Sequence, residues 1–445
     1  MLVATQIPSN PIVGLVVAGV LFGLGRVIIR RVAYAEGNPW LVRIMTASLL
    51  LHLLAAPTQI LVVDHVYHGV ADWTRYTHVG SALAPNFRHF NFTLAGANVR
   101  QIVNDGSVSI ATGIVMAIVG INLIGTFLVF SWLSFIGSVF FFRAFSLTFR
   151  GADPRRYALM LFFLPSLIFW TADVSKESIM MFALGLTSYG AAKILARRPG
   201  GFVLVVPGVT IAYFIRPNEL LLMLAGFAVA MMVPTAAARQ NLGGLRRLAG
   251  LVFLGGLLAI SVALTVHYLH GGPNGTLSLQ QTNANNQGSG LGFGSSGVPY
   301  STSPATYPRD VYEVLFNPLP YNAHGFGELI AALENTMILV LILVSLRNLR
   351  MLPRAAFARP YVMLCAVYTG AFFYTFAALG NLGLIERERT MMLPFMLALF
   401  CIPRAPKRAP PAYEWELRRR DRLRLRYAAE RRAAMRPPSP MSTGR

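Results

Sequence analysis

A polar and aromatic segment, residues 72–80, directly follows an apolar run and holds side chains that could do chemistry. If this segment is helical, Asp72 and Tyr76 share one face because they are four positions apart. A carboxylate at a membrane boundary, with Trp73 and Tyr76 as interfacial anchors, could act as a general base or a metal ligand. The structural alternative is an amphipathic helix that lies on the membrane surface.

A second cluster occupies residues 163–178, where Pro165 should kink its helix and free backbone carbonyls inside the protein. Asp173 or Ser175 could cap the helix that follows, and the N-terminus of a helix attracts anions. Lys176, one of three lysines in the chain, would strengthen such a site for phosphate. The alternative is a capped helix with a surface ion pair between Lys176 and Asp173 or Glu177.

Two further clusters contain arginine at short turns between apolar runs. Arg216 precedes Pro217 and needs an acidic partner, such as Glu219, or an anionic ligand. Arg387 and Arg389 alternate with acidic residues in the segment 381–389, and arginine binds phosphate through two parallel hydrogen bonds. The alternative for this last segment is mutual neutralisation of Arg387 and Arg389 by the adjacent glutamates.

Composition indicates that these clusters belong to a polytopic membrane protein. The 445 residues are 55% hydrophobic and only 13% charged, which excludes an ordinary soluble protein. The apolar content falls in runs that could span a bilayer, which takes about 20 residues per helix. Arginine is spread over the loops between these runs, so nucleic-acid binding is the weaker explanation of the net charge of +21. Basic loops would instead attract anionic membrane lipids.

The basic tail, residues 403–445, sets the expected orientation. It holds 13 Arg or Lys residues after an apolar segment, and positive charge beside a spanning helix stays in the cytoplasm. Counting backwards from a cytoplasmic C-terminus predicts an all-α, polytopic integral membrane protein with roughly 11 transmembrane helices in residues 1–402. Abundant Arg, Ala and Gly favour a GC-rich bacterial genome, and hence the bacterial cytoplasmic membrane.

Two long segments are expected to be external loops, residues 64–106 and 270–327. The apolar stretch 107–149 leaves two alternatives open, because it is long enough for two helices. Two crossings would place residues 64–106 inside, whereas one crossing plus a re-entrant or interfacial helix would place them outside. The arginines between residues 26 and 43 favour the second alternative.

In this topology all four clusters face the outside, next to lipid. Together they predict a site with a carboxylate, a lysine and several arginines, whose natural ligand is a lipid-linked phosphate or pyrophosphate. A channel or transporter would need polar residues inside the apolar runs, which are largely free of them. No spacing of histidines singles out a metal site, and no hydrolase, metalloprotease or nucleotide-loop motif occurs.

The clusters also carry a family resemblance. The residues concerned are Asp72-x-x-x-Tyr76-x-His78-x-Gly80, the run Pro-Ser-Leu-x-Phe-Trp…Ser-Lys-Glu at 165–177, Arg216-Pro217, and Asn381-x-Gly383…Arg387-x-Arg389…Pro394. In this order they resemble a broad group of bacterial multi-spanning proteins related to the GT-C-type membrane glycosyltransferases. Those enzymes usually have one helix before the first external loop, whereas this chain has two before Asp72.

The resemblance implies a glycosyltransferase or sugar polymerase that moves a sugar from a polyprenyl-phosphate carrier to a saccharide or protein acceptor outside the cell, in cell-envelope or exopolysaccharide assembly. Asp72 would be catalytic, as a base or as a ligand of a divalent cation. The substrate-binding residues would be Tyr76, His78, Lys176, Arg216, Arg387 and Arg389. The alternative function is a non-enzymatic transporter of lipid-linked saccharides or a membrane assembly scaffold.

Overall fold

The structure is a computed structural model that describes residues 7–65, 71–94, 102–233, 256, 307–322, 326–376 and 382–403. The basic tail beyond residue 403 and most of the predicted external loop 270–327 lie outside these residues. The described residues form helices and no strand, as predicted for an all-α protein.

Sixteen α-helices are numbered here in chain order within the described ranges. They are α1 Pro11–Glu36, α2 Trp40–His65, α3 Asp72–Arg88, α4 Ser107–Val119, α5 Leu123–Thr148, α6 Pro154–Phe163, α7 Pro165–Phe169, α8 Lys176–Leu195, α9 Gly201–Ile215, α10 Pro217–Met232, α11 Tyr307–Phe316, α12 Phe326–Leu349, α13 Leu352–Ala358, α14 Pro360–Phe376, α15 Leu382–Glu388 and α16 Leu393–Leu399. A 3-10 turn, Arg389–Met391, separates α15 from α16.

Six segments of this helical chain are long and apolar enough to cross a membrane, judged by length and composition. They are Pro11–Glu36, Trp40–His65, Ile102–Val119, Leu123–Thr148, Lys176–Leu195 and Ala331–Leu349. Three shorter apolar helices are α9, α10 and α14. These helices support a membrane protein, while the predicted count of about eleven crossings stays a prediction.

The core forms where α5 packs against α8. Close approach depends on two glycines, because a Cβ atom added to Gly137 would overlap the backbone at Met181, and one added to Gly185 would overlap the backbone of Gly137. Small residues let helix backbones approach in this way. By contrast, α1 and α12 expose rows of large apolar side chains, such as Leu15 and Val344. Exposed apolar faces on helices of spanning length are suited to contact with lipid.

Helix directions bear on the open question at residues 107–149. Ser134 of α5 bonds to Thr171, before α8, and Arg143, later in α5, lies over the ring of Tyr189, late in α8. The two helices therefore run in the same direction. The segment before α4 contacts the first residue of α8, and α4 ends three residues before α5 begins. The segment Ile102–Val119 and α5 are each long and apolar enough to cross a membrane, so the number of crossings within residues 107–149 stays a prediction.

Local sequence explains the helix ends that later matter. Pro165 ends α6 and opens α7, with Leu164 extended between them, so the helix is interrupted where the sequence predicted a kink. The N–H group of Ser166 freed at this break donates to the Glu334 carboxylate at 2.8 Å. Ser175 caps α8 by accepting a hydrogen bond from Ser178, which decides between the two predicted caps.

Basic residues collect at the end of the bundle where α5 and α8 finish. These residues lie after α5, at the end of α8, at the end of α12 and around α13. They are Arg150, Arg155, Arg156, Lys193, Arg197, Arg198, Arg347, Arg350, Arg354 and Arg359. Two contacts tie these segments together: Arg156 donates to Ser345 at 2.7 Å, and the Ser188 and Tyr361 hydroxyls share a hydrogen bond. The charge is thus segregated along the bundle axis, as the positive-inside trend requires.

Candidate functional site

Five charged side chains of alternating sign form a continuous chain of contacts, here called the charge ladder: Asp72, Arg387, Glu177, Arg216 and Glu219. Arg387 donates through Nη1 to Asp72 Oδ2 at 3.1 Å and through Nη2 to Glu177 Oε2 at 3.3 Å. Arg216 donates through Nη2 to Glu177 Oε1 at 2.8 Å and through Nη1 to Glu219 Oε1 at 3.1 Å. Glu177 therefore bridges two guanidinium groups.

Helix starts supply the carboxylates of the ladder. Asp72, Glu177 and Glu219 each lie in the first turn of a different helix, α3, α8 and α10. The N-terminus of a helix carries partial positive charge, which stabilises an acid in the first turn. The arginines come from helix ends, since Arg216 lies between α9 and α10 and Arg387 lies in the last turn of α15.

The ladder is exposed at one end only. The side chain of Asp72 is 61% exposed and that of Arg387 is 24% exposed, whereas Arg216 is 9% exposed and Glu177 and Glu219 are fully buried. The ladder thus has an open mouth at Asp72 and a closed inner end at Glu219. A ligand arriving from outside would meet Asp72 and Arg387 first.

Asp105 is the centre of a second cluster beside the mouth, here called the Asp105 hub. It pairs with Lys176 Nζ at 2.6 Å and with Arg75 Nη1 at 3.0 Å, and it accepts a hydrogen bond from the Tyr76 hydroxyl at 3.1 Å. Burial, together with the charge of Asp105, raises the pKa of Tyr76 well above its ordinary value. Tyr76 therefore remains a neutral hydrogen-bond donor at physiological pH.

The hub corrects one sequence alternative. Lys176 was expected to pair with Asp173 or Glu177 if it took no ligand, but it pairs with Asp105 instead. Asp105 is presented by a turn in which Asn104 has a φ of 75°, a conformation that L-residues rarely adopt. Because Lys176 and Glu177 are adjacent in the first turn of α8, the hub and the ladder form one continuous polar region.

The inner end of the ladder holds more carboxyl groups than guanidinium groups. Arg216 also contacts Glu388, so three carboxylates surround this single guanidinium. Glu219 Oε2 is buried without a hydrogen-bond partner. The alternative of mutual neutralisation within residues 386–389 does not hold for Arg387, which pairs with Asp72 and Glu177, while Glu388 pairs with Arg216.

Asp173 is a further acid near the mouth. It lies in the segment between α7 and α8, and its Oδ1 atom is buried without a hydrogen-bond partner. Burial raises the pKa of Asp173 to about 7, although the positive charge of Arg387 works in the opposite direction. The guanidinium of Arg387 in turn has its pKa raised, chiefly by Glu177. Asp173 is therefore a carboxyl group that exchanges a proton near neutral pH.

Two predicted site residues lie away from the ladder. His78 is exposed on α3, two positions after the buried Tyr76, and so faces elsewhere. Arg389 is buried in a separate network, where it donates to Asn335 Oδ1 at 2.6 Å and lies 3.8 Å from Glu334. The structure thus brings Asp72, Tyr76, Lys176, Arg216 and Arg387 into one region, but it does not bring His78 or Arg389 there.

The arrangement of donors does not suit the divalent cation considered from the sequence. Among the described residues no group of three or more His, Cys, Asp or Glu side chains is placed to hold a metal ion. Asp72 already pairs with a guanidinium, and the carboxylates of the inner ladder converge on Arg216. We therefore derive no step through a metal.

The chemistry that this region can perform follows from the side chains at its mouth. It offers an accessible carboxylate, a partly exposed guanidinium and a neutral phenol, next to a carboxyl group that titrates near neutrality. Such groups can accept a proton and stabilise a phosphate. Comparisons of the chain with protein families, with curated proteins and with solved structures found no match.

Proposed function

We propose that this protein is a membrane glycosyltransferase that moves a sugar from a polyprenyl-phosphate carrier to a saccharide or protein acceptor at the membrane face where the ladder opens. One observation carries the proposal: a solvent-accessible carboxylate, Asp72, contacts a guanidinium, Arg387, at the mouth of a buried polar region between apolar helices. A lipid-linked phosphate can reach such a mouth from the bilayer while its acceptor arrives from water.

In the resting state Asp72 and Arg387 neutralise each other at 3.1 Å. The phosphate of the carrier would take the Nη1 donor of Arg387, since guanidinium binds phosphate in a forked geometry. This exchange would release the Asp72 carboxylate next to the bound sugar. Arg387 would keep its orientation through the second contact, to Glu177.

The transfer step then balances as follows. The acceptor oxygen forms a bond to the anomeric carbon of the sugar, and its proton passes to Asp72. The bond between that carbon and the phosphate oxygen breaks, and polyprenyl phosphate leaves with the electron pair. Arg387 stabilises the charge that develops on this phosphate. Lys176, which is partly exposed in the Asp105 hub beside the mouth, would orient the substrate, and the buried Tyr76 would act through its hydrogen bond to Asp105.

Transport of a lipid-linked saccharide is the second candidate. The inner ladder favours it, because paired charges buried between apolar helices are characteristic of transport pathways. A scaffold role has no comparable support, since it does not require a buried ladder with an accessible mouth.

The two candidates predict different fates of the lipid-linked sugar in host cells that lack the protein. Without a transferase, the sugar lipid should accumulate on the outer face, where an impermeant oxidant such as periodate reaches it in intact cells. Without a transporter, it should accumulate on the inner face and resist periodate until the cells are opened. Accumulation on the inner face, or no accumulation at all, would contradict the proposed transferase.

A further inference from the structure

Arg150 and Arg359 lie together at the end of the bundle opposite the charge ladder. Arg150 follows α5, and Arg359 directly precedes α14. The adjacent rings of Phe149 and Tyr361 meet edge to face, with centroids 6.2 Å apart, and they fix the two segments to each other. The hydroxyl of Tyr361 also shares a hydrogen bond with Ser188, in the second half of α8. The position of this pair is therefore set by three packed helices.

The guanidinium of Arg359 is left incompletely satisfied by the protein. Its Nη1 atom is buried and has no hydrogen-bond partner. Burial and the positive charge of Arg150 both lower the pKa of Arg359. A buried donor beside a second cation costs free energy, and a bound anion would offset that cost.

The start of α14 adds positive potential at the same place. Pro360 opens this 17-residue helix, and Arg359 holds the extended backbone that is usual before proline. The dipole of this helix favours an anion at its start. Two guanidinium groups thus lie at the start of α14, and one of them has an unsatisfied buried donor.

We propose that Arg150 and Arg359 form a binding site for a phosphate group at the start of α14. Guanidinium groups bind phosphate through paired, charge-assisted hydrogen bonds. The phosphate could belong to an anionic lipid headgroup, since basic pockets between spanning helices bind such headgroups, or to a soluble phosphate compound. Binding would link the end of α5 to the start of α14. This site does not depend on the proposed transfer reaction.

The test is thermal unfolding of the full chain, purified in detergent, with added phosphatidylglycerol, phosphatidylcholine or inorganic phosphate. We expect phosphatidylglycerol to raise the Tm and phosphatidylcholine to have no effect. The Arg359→Gln variant should lose this response: its apparent affinity for phosphatidylglycerol should fall at least about tenfold, given the strength of hydrogen bonds to charged groups. A response to inorganic phosphate as well assigns the site to phosphate in general, whereas a response to phosphatidylglycerol alone assigns it to a lipid headgroup.

Arg354→Gln is the matched control, because Arg354 is exposed and lies only five positions before Arg359. It should keep the response, and Arg359→Lys should keep part of it because the charge remains without the fork. Each variant is compared with its own Tm in the absence of ligand, so a change in basal stability does not affect the result. The proposal is overturned if the wild-type chain responds to no phosphate compound, if Arg359→Gln responds as the wild type does, or if Arg354→Gln loses as much as Arg359→Gln.

Discussion

At the scale of single residues, the carboxyl groups of the polar region differ in whether they are already paired with cations. Asp105 is held by two cations and a tyrosine, and Glu177 by two guanidinium groups. Asp173 differs, because one of its oxygens has no partner and burial raises its pKa to about 7. Asp173 is therefore an acid of this region whose charge changes near neutral pH.

The titration of Asp173 predicts a specific pH dependence of stability. Because its folded-state pKa is raised, Asp173 contributes stability that is present below about pH 4 and is lost as the pH rises through about 7. Asp173→Asn does not titrate, so the variant should gain stability relative to the wild type between pH 5 and pH 8. The gain should not exceed about 4 kcal/mol, since one pKa unit corresponds to about 1.4 kcal/mol.

Thermal unfolding in detergent at several pH values measures this difference. Asp64→Asn serves as the control, because Asp64 is a more exposed aspartate whose contact is with His65 at 3.8 Å. Its pH profile should parallel that of the wild type. Parallel profiles for the wild type and Asp173→Asn would show that Asp173 does not titrate in this range.

Sequence reasoning reached only part of this residue-level account. The pair of Arg216 with Glu219 was predictable because the two residues are three positions apart at a helix start. Asp105 was missed, since its partners lie 29 to 71 positions away in the chain and no local spacing points to them. His78 lies on another face of α3 than Tyr76, because a separation of two positions turns a helical side chain away from its neighbour.

At the scale of elements, the ladder depends on α8, whose first turn supplies both Lys176 and Glu177. The position of α8 is in turn fixed by its contact with α5 at Gly137 and Gly185, where the backbones nearly touch. Hydropathy predicted these two helices, but not their contact, because a glycine in an apolar run does not reveal which helix will face it. The same is true of α3, for which the sequence predicted a helix with Asp72 and Tyr76 on one face but not the contact of Asp72 with Arg387.

The glycine contact predicts a large effect of a small substitution. Gly137→Ala or Gly185→Ala would force α5 and α8 apart, because the added methyl group would meet backbone atoms that cannot move aside. Overpacking of this kind costs roughly 1–3 kcal/mol, and here we expect the upper part of that range. Thermal unfolding of the purified chain in detergent measures the loss.

Gly19→Ala and Gly23→Ala are matched controls, since nothing lies within 4 Å of a Cβ atom at either position of α1. These variants should unfold at or slightly above the temperature of the wild type, because alanine favours the helical conformation. Equal Tm values for Gly137→Ala and Gly19→Ala would contradict the packing account.

At the scale of the whole molecule, charge is distributed unevenly between the two ends of the bundle. The ladder and the Asp105 hub occupy one end, and the arginine-rich segments occupy the other. Composition predicted the helical membrane architecture, whereas the common outer side of the four clusters, which was counted from the basic tail, stays a prediction. It could not predict the contacts between clusters, which arise from the packing of helices distant in sequence.

The uneven charge predicts the orientation of the chain in the membrane. Ala82, exposed on α3, should face the outside, and Arg354, exposed on α13, should face the cytoplasm. In intact cells a cysteine at position 82 should react with an impermeant maleimide, whereas a cysteine at position 354 should react only after the cells are opened. Cys365 and Cys401 are buried and should give little background. If position 354 were labelled in intact cells and position 82 were not, the chain would have the opposite orientation, which would contradict the prediction.

The central claim is that Asp72, at the mouth of the ladder, accepts the proton of the acceptor during sugar transfer. The most direct measurement is the rate at which labelled sugar passes from polyprenyl phosphate to polymer in membranes that contain equal amounts of wild-type, Asp72→Asn or Asp64→Asn protein. Loss of a general base costs about 100-fold to 10,000-fold in rate, so Asp72→Asn should be slower than the wild type by at least about 100-fold. Asp64→Asn should be as fast as the wild type. Normal transfer by Asp72→Asn at normal expression would contradict the assignment.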